Sequence, residues 1–295
     1  MITPQIGISL MMEHDFLNAA LPLFESGEIE VIEWSFDMGW GPQSPPDQCL
    51  FLLDHFSREN RLIGHGVSFS ILSGQWTARQ QHWLDCLQEE FQERQYRHVT
   101  EHFGFMTAGN FHKGAPLPVP LTPSTLKLGQ YRLQQVASIC KVPVGLENLA
   151  LAFGPEDVAQ QGIFLDQLVS AVDGFIILDL HNIYCQLCNF KVDPLVLLKS
   201  YPLDKVKEIH VSGGCWYQLQ TGQNEVLRCD SHDEAIPNEV FDLLNLALPL
   251  CPKVEFIIFE RLGHSIAKEE AFLYQEEFYR LKNAIKEIYS CMTIN

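Results

Sequence analysis

The sequence predicts an α/β protein in which eight parallel strands alternate with eight helices and close into a (β/α)8 barrel. β-prone runs alternate with amphipathic helical segments along the 295 residues. Runs such as 174–179 and 254–260 are almost continuously apolar, which is typical of parallel strands buried on both faces. The length suits one barrel, so residues 1–295 are interpreted as a single domain. A doubly wound open sheet is the alternative, but no G-x-G-x-x-G motif follows the first strand.

The first four β/α units are predicted from short β-prone runs followed by segments with helical spacing of apolar residues. The expected strands are 6–10, 28–34, 62–69 and 98–101, and the expected helices are 15–24, 47–56, 77–95 and 124–139. The third helix has the clearest pattern, because Trp83, Leu84, Leu87 and Phe91 share one face and polar residues fill the other. Pro46 marks the start of the second helix.

The last four units follow the same pattern. The expected strands are 142–146, 174–179, 206–211 and 254–260, and the expected helices are 155–172, 194–201, 238–248 and 266–289. Pro155 suits the first turn of its helix. Residues 103–123 carry four Pro and three Gly, and a structureless stretch of this length is usually a functional loop or lid.

Composition excludes several classes of partner. The formal net charge is -17, from 37 acidic and 20 basic residues, so neither nucleic acid nor a membrane surface is expected to bind. No signal peptide or membrane-spanning run is visible, which predicts a cytoplasmic protein whose nine Cys are reduced. Cys185 and Cys188 form a C-x-x-C pair, interpreted as two partly buried loop residues, with a redox or metal role as the alternative.

Side chains that can bind metal ions lie at or near the ends of the predicted strands. In a barrel, the C-terminal strand ends meet at one mouth, where active sites form. Glu33 and Asp37 supply carboxylates after the second strand, whereas His98 begins a strand and is expected at the opposite end. The candidate set is His65, His102, Glu147, Asp179, His181, Asn182, His210, Asp230, His232 and Glu260.

Taken singly, each of these residues has an ordinary structural explanation, such as a hydrogen-bonded His or an ion pair at the barrel rim. Their convergence predicts a metal site, because crowded carboxylates and imidazoles repel or lose solvation unless a cation neutralises them. Mixed imidazole and carboxylate ligands suit iron, zinc or manganese. The set exceeds the three or four ligands that one ion needs, which indicates two or three ions.

Six short motifs occur in an order and spacing that match a known family. They are His65-Gly66-Val67-Ser68, Glu101-His102-Phe103, Glu147-Asn148, Asp179-Leu180-His181-Asn182-Ile183-Tyr184, Glu208-Ile209-His210-Val211-Ser212-Gly213 and Asp230-Ser231-His232. On these motifs the chain resembles the DUF692 family, the multinuclear non-haem iron-dependent oxidases that include the methanobactin-forming and thiaglutamate-forming enzymes. The resemblance extends from Ile6 to Glu260.

This resemblance implies a xylose-isomerase-like TIM barrel with two or three irons at its mouth. It implies an oxidase that uses O2 to modify a ribosomally made precursor peptide, with Cys as the expected target, helped by a partner protein that binds the peptide leader. Asp230 and His232 are also assigned the catalytic role. The implied metal ligands are His65, His102, Glu147, Asn182, His210, Asp230, His232 and Glu260.

The chain departs from the family pattern at three places. His181-Asn182 stands where the family commonly has two Asn. A second His is missing after the Gly of the motif that begins at Glu208, and Leu262 replaces an acidic residue. These departures indicate a divergent branch.

Two other functions remain open on the residues alone. A similar barrel with Zn or Mn would serve a divalent-metal-dependent sugar isomerase or a phosphodiesterase-like hydrolase, by activating water or polarising a carbonyl. The third possibility is a binding module whose mouth has lost its catalytic ligands. Metal analysis after anaerobic purification separates these functions.

Overall fold

A computed structural model describes residues 3–41, 44–108, 111–219 and 225–294. Its strands are β1 (Gln5–Leu10), β2 (Val31–Trp34), β3 (Leu62–Gly66), β4 (Val99–His102), β5 (Phe105–Ala108), β6 (Phe111–Leu117), β7 (Val144–Glu147), β8 (Phe175–Asp179), β9 (Val206–Val211), β10 (Trp216–Gln218), β11 (Val226–Arg228) and β12 (Phe256–Phe259). Its α-helices are α1 (His14–Glu25), α2 (Asp47–Arg58), α3 (Ala78–Glu93), α4 (Pro123–Cys140), α5 (Pro155–Val169), α6 (Leu180–Phe190), α7 (Pro194–Ser200), α8 (Asn238–Ala247) and α9 (Ala271–Ile294).

Eight of these strands close into a barrel in the order β1-β12-β9-β8-β7-β4-β3-β2. Every neighbouring pair in the barrel is parallel. This is the (β/α)8 barrel that the sequence predicts. The other four strands form two antiparallel hairpins, β5 with β6 and β10 with β11. Since the hairpins follow β4 and β9, both leave the barrel at its C-terminal mouth.

Side chains alternate along each barrel strand between the helices outside and the barrel interior. On β12, Ile257 and Phe259 belong to the large core beneath the helices. Phe256 and Ile258 instead form a small apolar cluster with Val31 and Ile63 inside the barrel. This alternation explains why both faces of the strands are apolar in sequence.

The structure differs from the sequence prediction in the segments 103–123 and 180–190, and β3 also ends earlier than predicted. The segment 103–123 is not structureless, because its middle forms the β5–β6 hairpin. Gly104 has φ 136°, and a Cβ there would lie 2.8 Å from the Leu117 carbonyl oxygen, so the turn into β5 requires glycine. Cys185 and Cys188 lie on α6, which begins directly after β8, and not in a loop. The Asp179 side chain caps α6 by accepting from the Asn182 backbone N–H.

The loop between β3 and α3 is held by a side chain from a later helix. Arg132, on α4, is almost fully buried. Its guanidinium donates to the Ile71 carbonyl at 3.2 Å, to the Gln75 carbonyl at 3.1 Å and to the Ser73 carbonyl. The loop therefore has a fixed course without regular secondary structure. Among the described residues, no helix has the length and apolar character needed to cross a bilayer.

Candidate metal centre

Polar side chains occupy the mouth of the barrel. On three strands, an inward-facing apolar residue is followed two positions later by an inward-facing polar residue. Val31 is followed by Glu33, Ile63 by His65, and Ile258 by Glu260. All six are buried. The barrel interior therefore has a largely apolar layer, and above it a layer of polar side chains that could bind metal. Its members from the strands and the residues directly after them are Glu33, His65, His102, Glu147, Asp179, His210 and Glu260.

Two imidazoles and one carboxylate meet on one side of the mouth. Nε2 of His65 and Nε2 of His102 lie 3.4 and 3.3 Å from Glu147 Oε2. Thr100 Oγ1 donates to the Gly64 carbonyl and lies 2.8 Å from His65 Nδ1, so it accepts the Nδ1 proton. The Nε2 lone pair of His65 then faces a carboxylate oxygen, an arrangement that a cation between the two atoms would stabilise.

A second group surrounds His210. Its Nε2 lies 3.1 Å from Glu33 Oε2, and its Nδ1 lies 3.2 Å from Glu260 Oε2. All three residues are at least 95% buried. Both Glu33 carboxylate oxygens and Glu260 Oε2 lack a hydrogen bond within the described structure. Buried carboxylate oxygens without donors are costly, and metal coordination is one way to satisfy them.

The two groups are connected through Asp179. Four sets of three residues each bring one possible ligand atom per residue within 4.8 Å of the others. The sets are His65/His102/Glu147, Glu33/His210/Glu260, Glu147/Asp179/His210 and Asp179/His232/Glu260. Glu147, Asp179, His210 and Glu260 each belong to two sets. A residue shared in this way could contribute ligand atoms to two neighbouring ions.

Burial and mutual charge determine the protonation of these side chains. Burial lowers the pKa of both His65 and His102 to about 4, so both are neutral and able to bind metal at pH 7. Burial, followed by the charges of Asp230 and Glu260, raises the pKa of Asp179 to about 8. The pKa of Glu147 is also raised, again by burial first. Carboxylates held this close in a buried site favour a bound cation.

The residues fit a metal centre in donor chemistry as well as position. The site supplies imidazole nitrogens and carboxylate oxygens but no cysteine sulfur among the four sets. This donor set suits iron, zinc or manganese better than a soft-metal or structural zinc site. Asn182 adds an amide oxygen, since its Nδ2 donates to Glu147 Oε1 at 3.1 Å while its buried Oδ1 has no partner.

Asp230 and His232 lie at the outer edge of the site. His232 Nε2 is 2.6 Å from Asp230 Oδ1, and His232 Nδ1 is 3.7 Å from Glu260 Oε2. The side chains of Asp230 and His232 are 19% and 18% exposed. The charges of Asp230 and Glu260 outweigh burial and raise the pKa of His232 well above its usual value. These two residues lie where a substrate can reach them.

The His181 ring contacts Arg228 and Asp230 and not the residues that the four sets share. Arg228 Nε donates to His181 Nε2 at 3.1 Å, so Nδ1 carries the ring proton and points toward Asp230 Oδ1 at 3.3 Å. His181 therefore orients Asp230, and it belongs to none of the four sets. Asp37 also lies apart from them, because its carboxylate accepts from the backbone N–H groups of Val67 and Ser68.

Two buried residues beneath the mouth were not among the predicted ligands. Glu208 Oε1 lies 3.2 Å from His210 Nε2, and Glu208 Oε2 lies 2.6 Å from His98 Nε2. Both His98 and Glu208 are fully buried. The spacing of Glu208, two residues before His210 on one strand, is a sequence signal that places both inside the barrel. Glu33 and Asp179 are further members of the four sets that the predicted ligand list omits.

Comparisons with known proteins match the chain to a family model and to several relatives. Residues 42–270 match the family model described as RiPP precursor modification enzyme MbnB/TglH/ChrH, where RiPP denotes a ribosomally made and modified peptide. A UPF0276 protein of Caulobacter vibrioides is 26% identical over 245 residues, covering 82% of this chain and 81% of the relative. A UPF0276 protein of Acinetobacter baylyi is 24% identical over 251 residues, covering 85% and 82%.

Solved structures support the fold. An L-ribulose 3-epimerase superposes with a TM-score of 0.61 at 15% identity, covering 99% of this chain and 97% of the epimerase. The IOLI protein, solved with a bound zinc atom, superposes with a TM-score of 0.55 at 10% identity, covering 96% and 99%. At such identities the likeness concerns the xylose-isomerase-like barrel and not the reaction.

Proposed function

Because this chain belongs to the family of RiPP precursor modification enzymes MbnB/TglH/ChrH, we propose that it is a multinuclear non-haem iron-dependent oxidase. Its substrate is a ribosomally made peptide, modified with O2 at a Cys residue. The observation that carries the proposal is the overlap of four His/carboxylate sets in the barrel mouth. Four residues each belong to two of these sets, which supports a site for more than one ion.

In this proposal, the eight ligands are His65, His102, Glu147, Asn182, His210, Asp230, His232 and Glu260. Glu33 and Asp179 join them, because they complete sets that the eight leave with two members. Bound iron would supply the electron-transfer chemistry with O2 that protein side chains lack. The protein residues hold the ions, fix the ring orientations and exclude water from all but one side of the centre.

The accessible side of the centre is defined by exposure. His102, Asp230 and His232 side chains are 16–19% exposed, whereas His65, Glu147 and Glu260 are at most 7% exposed. A peptide thiol would therefore approach between His102 and His232. Asp230 and His232 lie on this exposed side, and we assign the catalytic role to them because a bound peptide would contact them first.

The two hairpins provide surfaces for the peptide and a partner. β10–β11 lies between β9 and Asp230, and its Trp216 and Tyr217 side chains are about half exposed. β5–β6 follows His102 directly. We propose that the peptide core lies between these hairpins and that a separate leader-binding protein delivers it.

The test is anaerobic purification followed by metal analysis and reconstitution with Fe(II). The proposal expects two or three irons per chain and O2 consumption that depends on a Cys-containing peptide. The peptide to test is a short Cys-containing peptide that is encoded beside the gene for this protein. A Glu147→Gln variant is the matched control, because it keeps the volume of the side chain while removing a shared carboxylate.

The competing functions give different results. Zinc or manganese alone, with hydrolase or sugar isomerase activity and no use of O2, would replace the proposal with the divalent-metal alternative. Protein that takes up no Fe(II) would indicate a binding module.

A further inference from the structure

Two cysteines stand opposite each other at the base of the β10–β11 hairpin. The strands pair antiparallel with Trp216 opposite Arg228 and Tyr217 opposite Leu227. One position further toward the barrel, the Cys229 backbone N–H donates to the Cys215 carbonyl at 3.0 Å. The pairing therefore continues to these two residues. Residues directly opposite in an antiparallel pair carry their side chains on the same face.

The Cα spacing of such a pair is compatible with a disulfide. Hydrogen-bonded antiparallel partners have Cα atoms about 5.5 Å apart, within the range of about 4.4–6.8 Å found for disulfides, while their Cβ atoms must approach by about 1 Å to reach the disulfide range. The Cys215 backbone N–H donates to Ser231 Oγ and not to Cys229, so one of the two hydrogen bonds that would fix the spacing of this pair is missing. Both residues are partly exposed, unlike the buried Cys49, Cys140 and Cys251. A small oxidant can therefore reach them.

The hairpin base is attached to the metal centre. The Cys215 backbone N–H donates to Ser231 Oγ at 2.8 Å. The neighbouring Gly214 is packed so tightly that a Cβ there would lie 2.5 Å from the Cys229 carbonyl oxygen. A bond between the two sulfurs would thus join the chain leaving β9 to the segment that carries Asp230 and His232.

We propose that Cys215 and Cys229 form a redox site, a reversible cross-strand disulfide made by exchange with a low-molecular-weight disulfide of the glutathione class. One thiolate attacks the small disulfide, forms a mixed disulfide and releases one small thiol. The second thiolate then attacks the protein sulfur of that mixed disulfide and releases the other small thiol. The protein loses two electrons and two protons, which the two released thiols carry. Excess small thiol reverses both steps.

The C-x-x-C pair on α6 provides an internal comparison. Cys185 is completely buried, with its sulfur 3.9 Å from His181 Nδ1. A small disulfide cannot reach that sulfur without opening the helix. The proposal therefore assigns exchange to the cross-strand pair and not to the motif that sequence alone singles out.

The experiment uses the full chain in a series of ratios of oxidised to reduced glutathione. Free thiols are then blocked with a maleimide, and tryptic peptides are identified by mass spectrometry. Cleavage after Lys207, Arg228 and Lys253 separates Cys215 from Cys229, although Cys251 shares the peptide of Cys229. Variants Cys229→Ser and Cys251→Ser assign the bond.

The expected result is that Cys215 and Cys229 lose maleimide labelling together and that peptides 208–228 and 229–253 become linked, reversibly with dithiothreitol. Cys251→Ser keeps the link. Cys229→Ser loses it and leaves Cys215 as a mixed disulfide with glutathione. Independent labelling of Cys215 and Cys229 at every ratio, or a link that survives Cys229→Ser, would overturn the proposal. Since the assay uses neither metal nor peptide substrate, its outcome is independent of the proposed oxidase function.

Discussion

Replacing His98 with Ala tests whether the lower barrel interior contributes stability while the mouth contributes chemistry. His98 is fully buried between the rings of Phe175 and Phe256, at 4.8 and 5.2 Å between centroids. Its Nε2 lies 2.6 Å from Glu208 Oε2. The substitution leaves a buried carboxylate whose remaining close imidazole partner is His210, 3.2 Å away.

The size of the effect follows from that unpaired carboxylate. Removing one partner of a buried ion pair costs about 3–5 kcal/mol of unfolding free energy. Burial alone would raise the pKa of Glu208, but the charge of His98 and hydrogen bonds from His210 and His98 lower it from 4.5 to about 2. A carboxyl group whose pKa is lower in the folded protein than in the unfolded chain stabilises the fold at pH values above its unfolded pKa. That stability is lost as the pH falls toward the folded pKa.

In the variant, protonation of Glu208 instead relieves the cost of its buried charge. The difference between wild type and His98→Ala should therefore be largest at pH 7 and shrink below about pH 4.5. Urea titration of chelator-treated protein at both pH values measures it. The control is the double variant His98→Ala/Glu208→Gln, which removes the charge and should recover part of the loss. A loss below about 1 kcal/mol at pH 7, or one that does not change with pH, would refute this reasoning.

Three further substitutions test the site and the strands. Glu147→Gln should reduce bound metal from several ions to one or none in plasma emission analysis while the circular dichroism spectrum stays unchanged, because Glu147 belongs to two of the four sets; full occupancy would contradict this shared role. His232→Ala should lower iron stoichiometry and abolish turnover with little change in the melting temperature of chelator-treated protein, whereas His98→Ala should retain its metal; the reverse pattern would contradict the assigned strand directions. Ile177→Ala should cost about 2–5 kcal/mol in denaturant titration, because Ile177 is fully buried on β8 and its loss leaves a cavity; a cost below about 1 kcal/mol would argue against a central strand.

Local sequence signals were sufficient for the barrel but not for the hairpins. The eight barrel strands are predictable because parallel strands are apolar on both faces, as in 174–179. The segment 103–123 carries Pro and Gly at a density typical of loops, yet part of it pairs as β5–β6. Strand 62–69 was predicted too long, since β3 ends at Gly66. Beyond it, the backbone amides of Val67 and Ser68 bond to Asp37 in place of a neighbouring strand.

The candidate site shows where sequence reasoning ends. Active-site side chains of a barrel lie at the C-terminal ends of its strands, and this rule alone predicts that His65, His102 and Glu147 lie together. The His98–Glu208 contact joins residues 110 positions apart, and no local pattern specifies it. The position of His181 after β8 places it in the wider candidate set, although not in the implied ligand list, and the first turn of α6 directs it to Arg228. The direction in which a side chain leaves a helix depends on how the helix packs in the tertiary structure.

The Arg132 side chain makes the order of the loop between β3 and α3 depend on a helix that follows much later in the chain. The Leu72 amide donates to the Gly104 carbonyl and the Ser73 amide to the Ser70 carbonyl, within the segment that the Arg132 guanidinium holds. Opening α4 would withdraw the guanidinium and release the whole loop. The amides of Leu72 and Ser73 should therefore exchange with deuterium at rates set by the unfolding of α4, as one cooperative unit with a helix that lies some 60 residues later in the chain.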